Sequence, residues 1–416
     1  MFMKIRLGVT IAILIIYFLT CNVSPITTFA VQNDEINLET AIQTALRENP
    51  ILKVIREKVK VAQVQLNSIA LLSNPELESE FIGGSHAEQI FELTKTFELG
   101  GQRRHRKQIA KINLEKVNLE LTDESRKLIK SVKLAFYQLI LVQEKLKLAK
   151  EIIKHNQQML DMARIQFDAG DISVTQVGLA NIQLQSALRE AATLESDLQL
   201  IQLDLNGLMG TPLDATPTAT GGLPKKAPTN LKLGTLKTHA LAHRADLKSL
   251  RLNVNQTENT HRLAKAANIP DLSIGGIAER SFGSTGFGVK FSIPLPLFDW
   301  NRAEINAAKA QKQVDAVEIT NSERQIVREV TAAFLSVNAA EKNLKFYDSN
   351  LLKLLNENLT LTRSAYELGE AELLEVILMQ NEYVKTRFAY FDALAAYHKA
   401  FIELESAIGT SIELVQ

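Results

Sequence analysis

Apolar residues recur at steps of three and four through two very long stretches of this chain, 101–169 and 300–368. In the first stretch the repeating apolar positions include Leu128, Val132 and Leu139. Such steps place one apolar stripe along a single helix face, which is the pattern of a coiled coil. The pattern therefore predicts two long helices, each roughly 100 Å long at about 1.5 Å per residue.

Shorter elements surround each long stretch in the same order. A return helix is predicted over 173–209 and again over 371–409, where an apolar stripe follows a glycine turn. Ahead of each long stretch, alternating apolar and polar residues bounded by turn-forming residues predict a pair of strands. These strands cover about 76–82, 90–98, 271–279 and 287–295.

The second half of the chain repeats the first. The segment 164–170 returns 199 residues later as 363–369, and Gly210 returns as Gly409. A constant offset across several landmarks predicts a duplicated unit, which buries its apolar face only when units pack together. Ahead of the strands the offset between Pro75 and Pro270 is 195, so we expect a four-residue insertion in the second hairpin loop.

The domain organisation follows from these landmarks. It has a signal segment at 1–30, a first repeat at 31–210, a proline-rich linker at 211–230, a second repeat at 231–410 and a tail at 411–416. The fold class is mainly α with a small β part.

Helix lengths predict where each part lies. A shorter helix precedes each strand pair, over about 50–72 and 245–268. Together with the return helix it nearly matches the long helix in length, so the two shorter helices fit end to end beside the long one. All strands then lie at one end and both glycine turns at the other. Taken alone, each strand pair also fits a surface hairpin of a soluble domain. If the strands span a membrane, the open edges of these four strands require at least two chains to share one β-barrel, because the smallest closed membrane barrels have about eight strands.

The N-terminus has the pattern of a secretory signal. Lys4 and Arg6 precede an apolar run, 7–19, and Ala30 ends an acceptable cleavage site. The run is short for a membrane-spanning helix, which needs about 20 apolar residues. A retained anchor and lipid attachment at Cys21 remain the alternatives. Cleavage after Ala30 would leave a chain without cysteine.

Charge and motifs argue against several function classes. The chain has 47 basic and 47 acidic residues, so nothing indicates nucleic-acid binding. It has no nucleophilic triad, phosphate loop or paired catalytic carboxylates, so we expect no enzyme activity and no cofactor. His239 and His243 have i, i+4 spacing without an evident third ligand, and no metal site is expected.

Several segments carry a family resemblance. They are Leu38–Pro50, both glycine turns, Glu98–Arg103, Pro294–Asn301 and the duplication itself. On these residues the chain resembles the TolC-like outer-membrane efflux proteins and is similar to their cobalt–zinc–cadmium branch. The resemblance implies duplicated long helical hairpins that form a periplasmic tunnel, with a twelve-stranded β-barrel shared by a homotrimer in the outer membrane of a Gram-negative bacterium.

The same resemblance implies partners and a role. The partners are a periplasmic adaptor (a membrane fusion protein), an inner-membrane resistance-nodulation-division pump and outer-membrane lipid. The role is passive export of the substrates that the pump delivers, with heavy-metal cations expected from the branch resemblance.

Candidate functional residues lie at both ends of the predicted tunnel. The resemblance implies that the tips close, with Glu375 and neighbouring Glu372 as gate carboxylates; the alternative is a solvated helix surface. The candidates for gating or adaptor docking are Arg164, Phe167, Gly170, Arg363, Tyr366 and Gly369. Their alternative reading is helix-dipole compensation by the arginines, with the aromatic rings in the apolar stripe.

Arg103, Arg104 and Arg106 form a basic run just after a strand. Contact with lipid headgroups is one interpretation, and a solvated helix start is the other. Because cations oppose the helix dipole at an N-terminus, this run needs a local reason.

Other functions remain open at this point. A periplasmic coiled-coil adaptor or scaffold would explain the helices, although adaptors usually have one hairpin and this chain has two. An extracellular enzyme with helical decoration lacks a site. An outer-membrane channel for drugs or other small molecules differs from a metal exporter only in its substrate.

Overall fold

The computed structural model describes residues 35–69, 71–82, 88–222, 232–281, 283–347 and 349–412. The predicted signal segment with Cys21, much of the linker and most of the tail lie outside the described residues. Within them the chain is mainly helical, with two long hairpins and four strands in one sheet. These features confirm the predicted fold class.

Each repeat contributes helices and strands in the same order. The first repeat contains β1 (Glu35–Ile36), α1 (Leu38–Glu48), α2 (Pro50–Ile69), β2 (Glu76–Ile82), β3 (Glu88–Phe97), α3 (Gln102–Asp168) and α4 (Val174–Met209). After β4 (Thr218–Ala219), the second contains α5 (Leu233–His243), α6 (Ala245–Ala266), β5 (Leu272–Ser281), β6 (Ser284–Ser292), α7 (Arg302–Leu344), α8 (Ser349–Glu367) and α9 (Leu373–Ile408). The short strands β1 and β4 pair in parallel beside α3.

The long helix α3 is the central support of the chain. It packs against α2 and α6 along one part of its length and against α4 and α9 along the other. The helix α7 packs on α6 and α9, while α8 packs on α9. Shorter helices therefore lie in line beside each long element, and α2 and α7 form opposite edges of one layer.

A polar side chain joins the short helices to the return helix in each repeat. Buried Asn49 donates its Nδ2 hydrogen to the carbonyl of Leu208 over 2.9 Å. At the equivalent position Arg244 donates from Nη1 to the carbonyl of Ala407 over 3.2 Å, and pairs with Asp246. The donors Asn49 and Arg244 are 195 residues apart, and the acceptors Leu208 and Ala407 are 199 residues apart. These are the offsets of the repeat, so the duplication extends to individual hydrogen bonds.

The second long helix is not continuous, so the prediction of one helix over 300–368 is wrong. The chain leaves the helix after Leu344, where Phe346 N–H bonds to Asn343 C=O and Tyr347 N–H bonds to Leu344 C=O, each over 3.1 Å. These are tighter i→i−3 bonds. The helical path resumes at Ser349 as α8.

One additional residue explains this break. Val132 and Lys147 correspond to Val330 and Lys345 at an offset of 198, whereas the glycine turns are 199 apart. The four residues 148–151 thus correspond to the five residues 346–350. An extra residue in a continuous helix would rotate all later side chains by about 100°. The break instead keeps the apolar stripe buried on both sides, as at Val330, Val337, Leu359 and Tyr366.

The predicted insertion in the second hairpin loop is also wrong. Only residues 282–283 separate β5 from β6, whereas 83–87 separate β2 from β3. The extra residues lie after the strands instead. Residues 293–301 join β6 to α7, and only 98–101 join β3 to α3. We call 293–301 the connector.

The four-stranded antiparallel sheet, in the order β2-β3-β5-β6, has two different faces. Cross-strand partners share a face, and the pairs Phe91–Ala278 and Leu93–Gly276 identify the apolar one. That face carries Leu77, Phe81, Phe91, Leu93, Phe97, Leu272, Ile274, Phe287, Val289 and Phe291, and also Gln89, Lys95 and Arg280. The opposite face carries Glu76, Glu78, Glu80, Glu88, Glu92 and Glu279, with Lys290 paired to Glu92 over 2.6 Å.

None of the helices in the described residues is long and apolar enough to cross a membrane.

Replacing the five residues 346–350 by Leu-Ala-Lys-Glu, the sequence of 148–151, should make the second long helix continuous. The apolar stripes of α7 and α8 would then lie on one face of a single helix. Hydrogen exchange of the amides from 343 to 352 should slow markedly. Replacement by five alanines is the matched control, since it raises helix propensity but keeps the extra residue. Equal protection in both variants would contradict the length explanation.

Candidate functional site

Both hairpin turns have the same backbone construction. Gly170 and Gly369 have positive φ values of 84° and 77°. The residue after each glycine donates its backbone N–H to the carbonyl five residues back. Asp171 donates to Gln166 over 2.9 Å, and Glu370 donates to Ala365 over 2.8 Å. This is the Schellman arrangement, in which a left-handed residue closes the helix and glycine carries no steric cost.

The aromatic residues ahead of the two turns differ in their surroundings. Tyr366 is 6% exposed, and its hydroxyl donates to Oε1 of Gln166 over 3.0 Å. Burial raises the pKa of the Tyr366 phenol. Its counterpart Phe167 is 43% exposed. The second hairpin therefore rests on the first through Tyr366, while Phe167 lies on a surface.

A buried chain of hydrogen bonds crosses between the hairpins above the turns. Arg363 Nη2 donates to Gln380 Oε1 over 2.7 Å. Gln380 Nε2 donates to Asn156 Oδ1 over 2.6 Å, and Asn156 Nδ2 donates to the carbonyl of Gln183 over 3.1 Å. Gln380 and Asn156 are 2% and 1% exposed. We call these four residues the polar relay.

The relay lies within an apolar cluster shared by the two hairpins. That cluster includes Met159, Leu160, Ala163, Ala180, Leu184, Leu373, Val376 and Ile377. A buried amide left without its partner costs about 1–3 kcal/mol, because its hydration is not replaced. Each relay member is thus held in one orientation, and a shift of one hairpin along the other that breaks these bonds while the groups stay buried incurs that cost.

The two predicted arginines have different roles. Arg363 is partly buried in the relay, and burial lowers the pKa of its guanidinium. Its Nε has no hydrogen-bond partner among the described residues. Arg164 is exposed and forms a long ion pair of 3.8 Å with Asp161. Arg363 therefore joins the two hairpins, whereas Arg164 belongs to the open surface near the first turn, and a role of either residue in gating or adaptor docking stays a prediction.

Glu372 and Glu375 lie at the start of α9 and are exposed. Glu372 is the N-cap residue, and its carbonyl accepts from Glu375 N–H over 3.0 Å. Carboxylates are stabilised at this end of a helix by its dipole. Gln176 occupies the equivalent position in the first repeat. A carboxylate ring needs further copies of the chain, so the gate assignment stays a prediction.

The basic run lies at the opposite end, where α3 begins, and the structure supplies its local reason. Arg103 Nε donates to the carbonyl of Ile69, the last residue of α2, over 3.3 Å. Arg106 pairs with Glu98. Arg104 is exposed. Two of the three cations are thus used in joining the strands to the helices, and headgroup contact stays a prediction.

Sequence reasoning missed most of the relay. It selected Arg363 but not Gln380, Asn156 or Gln183. It also selected Tyr366 but not its partner Gln166. A usable signal existed, because Asn156 interrupts the apolar stripe of the first long helix three residues after Ile153. A polar residue at a coiled-coil core position commonly specifies register.

No set of three or more histidine, cysteine, aspartate or glutamate side chains is grouped as a metal site in the part of the chain that the structure describes. His239 and His243 stack at 4.0 Å between ring centroids.

Comparison with known proteins gives consistent matches. A family model described as "Outer membrane efflux protein" matches residues 41–211 and 236–410. Among relatives, the "Cobalt-zinc-cadmium resistance protein CzcC" of Cupriavidus metallidurans is 21% identical over 90% of each chain. "Nodulation protein T" of Rhizobium leguminosarum bv. trifolii is also 21% identical, over 64% of this chain and 60% of that protein.

Solved structures share the fold. The crystal structure of CusC, described for its transmembrane channel formation, superimposes with a TM-score of 0.75. It has 19% sequence identity, and the match covers 90% of this chain and 92% of CusC.

Gln380→Leu should weaken the contact between the hairpins. It removes the donor to Asn156 and the acceptor for Arg363, so the free energy of opening should fall by about 1–3 kcal/mol. Hydrogen exchange of amides in 373–390 measures this opening. Asn181→Leu, the exposed equivalent in the first repeat, is the control and should change little. Equal effects of both substitutions would argue against the relay.

Acidification should loosen the same region through His155. Burial, followed by the charge of Arg363, lowers the pKa of His155 below its ordinary value of about 6.5. The unfolded or opened chain then binds the proton more readily, so stability is lost as pH falls below about 6.5. Proteolysis of the turns should therefore accelerate between pH 7.5 and 5.5, and less so in His155→Gln. An identical pH response of the two proteins would exclude His155 as the cause.

Proposed function

This chain belongs to the outer membrane efflux protein family, and we propose from this that it is the passive exit channel of a tripartite efflux system. In this role the chain supplies a path and a gate across the outer membrane. A periplasmic adaptor and an inner-membrane resistance-nodulation-division pump supply the substrate and the energy. The long helices extend into the periplasm.

The two-faced sheet is the single observation that carries the channel proposal. Its outer strands β2 and β6 have open edges, and open edges cannot face lipid. Membrane barrels place apolar residues outside and polar residues inside. An apolar face toward lipid and a glutamate face toward the lumen fit this requirement. Three chains of four strands each would close a twelve-stranded barrel.

The helical layer supports the same assembly. Exposed apolar residues lie along its edge helices, with Val54, Val61 and Val64 on α2 and Val314 and Val317 on α7. These edges lie on opposite sides of one chain. An edge-to-edge contact is heterologous, and it forms a closed ring when the rotation between copies closes. A homotrimer buries both edges in every copy.

The gate is proposed at the glycine turns. The polar relay and Tyr366 hold the second hairpin against the first, which is the closed arrangement of one chain. In a trimer, Glu375 with Glu372 would form a ring of carboxylates around the axis, attracting cations. Exposed Arg164 and Phe167 at the first turn are the proposed contacts for the adaptor.

Metal cations are the proposed cargo. The glutamate face of the sheet and the proposed ring at Glu375 both favour cations over anions. The resemblance to CzcC, whose name concerns resistance to cobalt, zinc and cadmium, also supports metal cations. Nodulation protein T has the same sequence identity, 21%, and its name mentions no metal. Export of drugs or other small molecules is the second candidate. A deletion strain tested with zinc, cobalt, cadmium and drugs separates the two.

Glu375→Gln should lower the cation selectivity of the channel in planar bilayers. The substitution removes one carboxylate per chain, so the reversal potential in a salt gradient should move toward zero. Glu57→Gln on α2, another exposed carboxylate far along the sequence from the turns, is the control. An unchanged reversal potential would refute the ring but not the channel. Absence of any conductance from the wild-type protein would refute the channel itself.

A further inference from the structure

The connector is the largest difference between the two repeats. It has nine residues, 293–301, whereas the first junction has four, 98–101. Both junctions end in the same way, because Gly101 and Asn301 precede the long helices with φ values of 73° and 51°. Asn301 also donates from Nδ2 to the carbonyl of Ala264 over 2.9 Å, which fixes the start of α7. The second repeat therefore carries five extra residues between equivalent end points.

These extra residues are mostly apolar and exposed. Phe298 is 97% exposed and Trp300 is 50% exposed, and Ile293, Leu295 and Leu297 are also exposed. A contiguous apolar patch on a surface marks an interaction site. Pro294 and Pro296 lie between them, and a proline has no N–H to offer to a strand. Extension of the sheet by another strand is therefore a poor use of this segment.

The connector continues the apolar face of the sheet. Phe287, Val289 and Phe291 of β6 are exposed on that face at alternate positions. Ile293, Leu295 and Leu297 keep the same alternate spacing beyond the end of the strand. Whatever covers the apolar side chains of β6 should therefore also cover the connector.

A second copy of the chain is the less suitable cover. Side chains stand perpendicular to a sheet, while its open edge presents backbone groups. A copy that pairs with β6 would thus occupy the backbone edge and leave the side chains of Phe287, Val289 and Phe291 uncovered. Lipid covers them without that conflict.

We propose that the connector is an interfacial anchor whose residues Leu295, Leu297, Phe298 and Trp300 lie in the phospholipid leaflet nearest the helices. The inference rests on the proposed function, which places the sheet in a bilayer. Aromatic rings, tryptophan above all, favour the boundary between headgroups and acyl chains. Asp299, Asn301 and Arg302 mark the aqueous side of that boundary. The anchor would then fix how deeply the sheet is inserted into the bilayer.

The sequence provides its own reporter, because Trp300 is the one tryptophan of the chain. The full-length protein is reconstituted into phosphatidylcholine vesicles and into vesicles whose lipids carry bromine at a shallow acyl position. Trp300 emission should be blue-shifted, should lose intensity with brominated lipid, and should resist aqueous iodide. Phe298→Ser should shift the emission to the red and reduce quenching by bromine. Phe346→Ser, which removes another exposed phenylalanine ring, at the helix break, is the matched control and should change neither the emission nor the quenching.

Two results would overturn the anchor. Emission quenched by iodide but not by brominated lipid would place Trp300 in water. Blue-shifted emission that brominated lipid does not quench would place it against protein, as in a contact between copies. Conductance of the same vesicles separates the two proposals: channels with an unquenched Trp300 refute the anchor alone, while protein that neither inserts nor conducts refutes the proposed function with it.

Discussion

The architecture depends on burying one very long helix along its whole length. An isolated amphipathic helix of this size gains no stability from its own apolar stripe, so every part of α3 needs a neighbour. The chain solves this with two shorter helices in line on one side and the second repeat on the other. Strands and turns are consequently forced to opposite ends, and the positions of the sheet, the turns and the candidate residues all follow.

Duplication gives this solution twice, but the two copies are not equivalent. The first long helix is continuous, while the second absorbs an extra residue by breaking. The second hairpin packs against the first through buried Tyr366, while Phe167 is exposed. The connector belongs to the second repeat alone. Each chain therefore presents two different kinds of hairpin.

Polar groups specify this arrangement more sharply than the apolar contacts do. The apolar cluster near the turns would tolerate small shifts of one hairpin along the other. The relay from Arg363 through Gln380 and Asn156 to the backbone of Gln183 does not, since each shift leaves a buried donor or acceptor unsatisfied. The contacts of Asn49 and Arg244 with the return helices act in the same way at the helix ends.

The sequence by itself determined the element types, the duplication and the separation of strands from turns, because helix and strand periodicities and glycine turns are local signals. It also selected Arg363 and Tyr366. Only the tertiary structure decided which polar residues meet, since Asn156 and Gln380 are 224 residues apart and their pairing depends on how two hairpins register. The sequence did not predict the break after Leu344, because no proline or glycine marks it. The extra residue matters only in the folded chain, where the apolar stripes of α7 and α8 must both stay buried. The change of offset from 195 to 199 indicated four extra residues, but the strand pairing decided that the extra residues, five of them, lie in the connector.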